Sequence, residues 1–241
     1  MNSDAQIVNC KNGSGDGGGV RVEANATFTM NSGSLIMGCA SNGNGGGVFV
    51  GVEATFIMNS DALIDGNQAG TGKGAGGVYC YGGNFTMNDG TISNNTGKNA
   101  GGGVCVDGPS AGPKGTFTMH YGKICGNSST QVTTDPANYW YQGAGGGVFV
   151  HGVCTFTMKG GSISDNWAAN TGGGVCMRAD SIFTKTGGTI YGANAGTSDQ
   201  NRVGENGEIT DKGAAVHCGD RKRCENTVEN GMTTDTGWEY P

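Results

Sequence analysis

One unit, GGGVFVHGVCTFTMKGGSISDN at Gly145–Asn166, recurs in variants along nearly the whole chain, and this recurrence limits the fold more than any other property. Each copy has a glycine run leading into a valine, then a TFTM-like run, then a short apolar stretch, with turn-forming residues between. The valines form one column (Val20, Val48, Val78, Val104, Val148, Val175 and, after a degenerate glycine run, Val216). The phenylalanines form a second (Phe28, Phe56, Phe85, Phe117, Phe156, Phe183). Seven residues after each phenylalanine stands a third column of Leu35, Leu63, Ile92, Ile124, Ile163 and Ile190. Asn95, Asn127 and Asn166 follow their isoleucines by three positions, while Asn67 and Asn194 come one residue later.

Each apolar run alternates with period two, as in Val148 and Val150 against Phe149, or Phe156 and Met158 against Thr155 and Thr157. Such alternation marks strands with one buried face. The shortest valine spacings are 26, 27 and 28 residues (Val78 to Val104, Val148 to Val175, Val20 to Val48), too short for a propeller blade and without helical periodicity. The pattern predicts an all-β, right-handed, single-stranded parallel β-helix with three strands per coil and about six to seven coils stacked ~4.8 Å apart. A single coil cannot bury its inward side chains, so the core exists only in the stack. The asparagines then fall at a corner, where amide hydrogen bonds can pass from coil to coil. The glycine runs supply positive φ or close approach where the chain turns.

The fifty glycines with only four prolines exclude collagen. A net charge of −6, with no basic cluster beyond Arg221, Lys222 and Arg223, argues against nucleic acid as a partner. No run of about 18 apolar residues is present for membrane insertion. The chain opens on polar residues in the middle of a repeat, as a piece of a longer polypeptide would. The nine cysteines read mostly as small buried apolar residues. Cys10 and Cys39 share one slot in successive repeats, and Cys218 and Cys224 could close a small loop. No cofactor is expected. His217, Cys218 and Cys224 lack a fourth ligand, so no metal site is expected either.

The GGGV runs and the Ile-x-x-Asn triplets (Ile92–Asn95, Ile124–Asn127, Ile163–Asn166) resemble the repeats of chlamydial polymorphic outer-membrane proteins. They are also similar to those of Gly-rich β-helix adhesins on bacterial and archaeal surfaces. The resemblance covers about Ile7 to Cys218. It implies a right-handed parallel β-helix and an extracellular or cell-surface, adhesin-like role.

Function in a solenoid is expected where the repeat is interrupted. The repeat domain runs over 1–218, with insertions at 107–115, 128–144 and 195–212, and the tail 219–241 is expected to cap its end. Outward residues of the valine strands form the column Arg21, Phe49, Tyr79, Cys105, Phe149, Cys176 and His217. Its middle is apolar, which predicts a groove floored by Tyr79, Cys105 and Phe149 and walled by Tyr139, Trp140, Tyr141 and Trp167. Aromatic rings of this kind bind a glycan or a host or surface protein; the bland alternative is a loop folded back over an apolar strip.

Three other features of the sequence carry alternative functions. Asp107, His151 and Arg178 lie three residues after consecutive valines; they would be the catalytic set of a polysaccharide lyase or glycoside hydrolase, or else a surface ion-pair ladder. The paired threonines of the TFT runs (Thr27/Thr29, Thr116/Thr118, Thr155/Thr157) give ranks suited to ice binding, although Ile57, Asn84 and Ile182 interrupt them. The N-terminal half-coil shows no cap, which predicts end-to-end or face-to-face self-association.

Overall fold

The computed structural model describes the chain except for residues 71, 133–140, 179, 193, 194, 197, 205–214, 219–223 and 227–241. The described residues form a parallel β-solenoid without helices, built from four sheets of seven strands each. Every neighbouring pair of strands is parallel and in register. Among the described residues, no helix is long and apolar enough to cross a membrane.

The expected three strands per coil become four. The additional sheet consists of two-residue strands: Lys11–Asn12, Ala40–Ser41, Gln68–Ala69, Thr96–Gly97, Ser128–Ser129, Trp167–Ala168 and Arg202–Val203. Most turn a small residue inward, such as Ser41, Ala69, Ser129 or Ala168, all buried. Two residues are enough because the strand only has to carry the backbone ladder around one corner.

The remaining sheets match the repeat columns. Val48, Val78, Val104, Val148 and Val175 pair coil to coil and have no exposed surface. The phenylalanine rings stack beneath the second sheet, from Phe28 to Phe183, with centroids 4.6–5.6 Å apart and planes within 4–23°. Offset stacking at this spacing adds to the gain from burying each ring. Met30, Met58, Met87, Met119 and Met158 fill the row two residues on, and Lys185 takes the next slot. Burial there pushes the Lys185 ammonium below its ordinary pKa. Strand Cys224–Asn226 continues this sheet beside Ile182–Lys185.

The third column needs a correction in its first two coils. Ile36 and Ile64, rather than Leu35 and Leu63, pair in line with Ile92 and are fully buried. With that shift Asn67 also stands three residues after its isoleucine. Its ladder partner in the last coil is Asn201; Asn194 lies outside the described residues. Asn67, Asn95, Asn127, Asn166 and Asn201 are all fully buried. Each of the first four donates its backbone N–H (2.9–3.0 Å) and its amide (2.9 Å) to the Oδ1 of the next. Each Nδ2 also donates to a carbonyl one coil back, as Asn127 does to Ile92 at 2.9 Å. The residue before each of the first four rungs is left-handed: Gly66, Asn94, Gly126 and Asp165, at φ 52–66°. Only Gly, Asn and Asp enter that region readily, which explains this otherwise irregular column.

Between the two-residue strands and the valine strands the chain swings outward and folds back. Gly74, Ala100, Ala144 and Thr171 stack as single bridges along this arm. The return is tight. At Gly145 (φ 66°) a Cβ would meet Val148 O at 2.6 Å and Phe149 Cβ at 2.7 Å, so only glycine lets the arm close onto the strand.

Candidate functional site

The arm decides the fate of the groove expected on the outer face of the valine sheet. Phe49, Tyr79, Cys105, Phe149 and Cys176 do form one outward row, but Ala75, Ala100 and Ala144 pack over it, with Tyr81 and Tyr141 at its margin. Tyr79 is 3% exposed, and Cys105 and Phe149 are 0% exposed. The floor is therefore a second hydrophobic core, closed to a ligand. Arg21 finishes its N-terminal end with the guanidinium 4.7 Å from the centre of the Phe49 ring. Tyr139 and Trp140 lie outside the described residues, so the proposed wall reduces to Tyr141, packed on the cluster, and Trp167.

Asp107 forms the node of this second core. Its side chain is 1% exposed and accepts from Lys73 Nζ at 2.8 Å, Tyr79 Oη at 2.9 Å and Gly108 N at 2.8 Å; His151 Nδ1 lies 3.1 Å from Oδ1. Burial alone would raise the carboxyl pKa, but hydrogen bonds from His151, Lys73 and the Gly108 amide outweigh it and hold the group well below the usual carboxylate range. Burial, with the Cys105 and Asp107 charges, in turn pushes the Tyr79 phenol well up. Asp107 and His151 meet across successive coils as their spacing implies, whereas Arg178 donates to Thr171 Oγ1 at 3.3 Å. An engaged, ionised and buried carboxylate cannot present a proton to a substrate. Asp107 ties the arm, the strand and the next coil together.

Trp167 is placed elsewhere. It lies in the two-residue sheet, between Ser128 and Arg202. Its indole N–H donates to Gly204 O at 2.9 Å, which fixes the ring. Beside it opens a groove of about 440 Å³ lined by Asn94, Gly126, Asn127, Ser128, Asp165, Trp167 and Arg202. The left-handed corner column supplies one wall (Asn94, Gly126, Asp165) and the stacked two-residue strands the other. Arg202 Nη2 pairs with Asp165 Oδ1 at 3.0 Å across it, and the buried Arg202 Nε has no hydrogen-bond partner. The groove thus offers an aromatic surface, a carboxylate, a guanidinium and amide and hydroxyl groups on rigid elements. Sequence reading named Trp167 but missed Asn94, Asp165 and Arg202. The signal for Asn94 and Asp165 was a residue that tolerates positive φ directly before a ladder asparagine; Arg202 left none.

The remaining candidates are placed as follows. Threonine rows run in register along the second sheet and are interrupted at Ile57, Asn84 and Ile182. Loop 107–115 is pinned by Lys114 Nζ, which donates to the carbonyls of Pro109 and Ser110. Cys218 is disulfide-bonded, while Cys10 and Cys39 are free thiols. Among the described residues no three His, Cys, Asp or Glu side chains are grouped to hold a metal ion. No protein-family model, curated protein or solved structure matches the chain.

Proposed function

We propose that the chain is part of a secreted or cell-surface adhesin-like protein, a rigid solenoid that binds a glycan in the Trp167 groove. The observation that carries this reading is the fixed indole beside the Asp165–Arg202 pair, in an open groove of about 440 Å³. Pyranose rings present apolar C–H faces to an aromatic surface and hydroxyls to carboxylates, guanidinium groups and amides. The volume lies within the usual range for small-ligand sites. A host or surface protein remains the other partner class. The closed environment of Asp107 supports binding over polysaccharide cleavage.

A glycan array probed with the wild-type chain and with Trp167→Ala tests this reading. Wild type is expected to retain a discrete set of glycans and the variant to lose them at least tenfold, with an unchanged circular dichroism spectrum. Equal retention by both, or release of reducing ends or unsaturated uronates during incubation, would sink it.

A further inference from the structure

The asparagine ladder stops short of the N-terminal end of the rod, and cysteines take its place. Strand pairing of Val8 with Met37 and of Lys11 with Ala40 on one side, and of Met37 with Asp65 and Ala40 with Gln68 on the other, puts Cys10, Cys39 and Asn67 in one slot. Asn67 Oδ1 accepts from Cys39 N at 2.8 Å, but Cys39 has no amide to pass the ladder on. The first two coils thus lack the chain of buried side-chain hydrogen bonds that joins the later ones, and are held together by fewer contacts.

The two cysteines are register neighbours on adjacent coils. Cys39 is buried, with Sγ 3.5 Å from Met37 O and 3.8 Å from Ile7 O on the first coil. Cys10 is exposed, with Sγ 3.6 Å from Val8 O. Strands one coil apart lie ~4.8 Å from each other, inside the ~4.4–6.8 Å Cα separation a disulfide requires.

We propose that Cys10 and Cys39 form a redox-operated staple, which a small-molecule disulfide converts into a covalent bridge between the first two coils. The Cys10 sulfur attacks one sulfur of the small disulfide, breaking its S–S bond, forming a mixed disulfide and releasing one thiol. The Cys39 sulfur then attacks Cys10 Sγ and displaces the second small thiol. Both protein protons end on the released thiols; two protein thiols are oxidised and one disulfide is reduced. Access sets this order, because only Cys10 faces solvent. Burial also raises the Cys39 pKa, which makes it the less reactive of the two thiols toward the small disulfide.

The test uses the whole chain, reduced and then incubated with oxidised glutathione, quenched with N-ethylmaleimide and mapped by mass spectrometry. The expected product is a peptide linking Cys10 to Cys39. Amide hydrogen exchange in strand Gln6–Val8 is expected to slow by about tenfold on oxidation. In Cys10→Ser, Cys39 should stay a thiol and exchange should ignore the oxidant. A lasting glutathione adduct on Cys10, a Cys10 bridge between two chains, or a Cys10–Cys39 bridge without added protection would each overturn the proposal.

Discussion

The inner core and the outer cluster occupy opposite faces of one sheet, and they follow different rules. On the inner face the leading row repeats valine over valine, with Cys80 and Met177 entering only the row behind it, and in the adjoining sheet phenylalanine stands over phenylalanine. On the outer face the row changes at every coil, from Phe49 through Tyr79, Cys105 and Phe149 to Cys176. Both are dry. The inner residues stack on their own kind at a fixed spacing, so a change of shape in one coil disturbs the next. Outer residues are each covered by an arm of their own coil, so the row only has to remain apolar or find a partner. Identity is enforced where the contact is between copies and relaxed where it lies within one.

The strongest challenge to this contrast is Phe117→Ala, at the middle of the ring stack. It is expected to cost about 4 kcal/mol in urea unfolding, as a large cavity in a core that cannot collapse would. Phe149→Ala should cost about 3 kcal/mol if the outer cluster is a true second core. A loss below about 1 kcal/mol would reduce that cluster to a loose lid. Asp107→Asn, which keeps the shape and removes the charge, is expected to cost about 2 kcal/mol near neutral pH.

The pH dependence of that loss sharpens the comparison. The folded pKa of Asp107 lies below the unfolded value of about 3.9, so its contribution is full above that value and fades as pH falls through the folded pKa. Unfolding midpoints of wild type and Asp107→Asn should therefore converge on acidification and stay apart above about pH 5. Convergence on raising the pH would contradict the assigned environment. Trp167→Ala should change stability least, by under about 1 kcal/mol, while abolishing glycan retention.

What could be read in the sequence follows the same division. The valine and phenylalanine columns were legible because each recurs unchanged. The isoleucine column was misread where two apolar residues adjoin, since Leu35–Ile36 and Leu63–Ile64 satisfy the pattern in either register, and only the asparagine three residues on decides. The fourth sheet left no pattern: Gln68–Ala69, Thr96–Gly97 and Trp167–Ala168 share only one small inward residue each. An apolar outward row was correctly seen, but its cover comes from single alanines before a glycine turn, and Ala75, Ala100 and Ala144 give no hint of packing in isolation. The Trp167 groove depends on Asp165 and Arg202, which sit far apart in the chain and meet only because one coil stacks on another.

The asparagine column has an electrical consequence. From Asn67 to Asn166 each rung donates its side-chain amide to the next rung toward the C-terminal end, and Asn201 accepts the last of these bonds. The amide dipoles are therefore aligned head to tail, and each polarises its neighbour along a fully buried column. The rod carries a built-in vector along its axis, as a helix does by another route. A second rod meeting it tail to head would prolong that vector, whereas one meeting it head to head would oppose it.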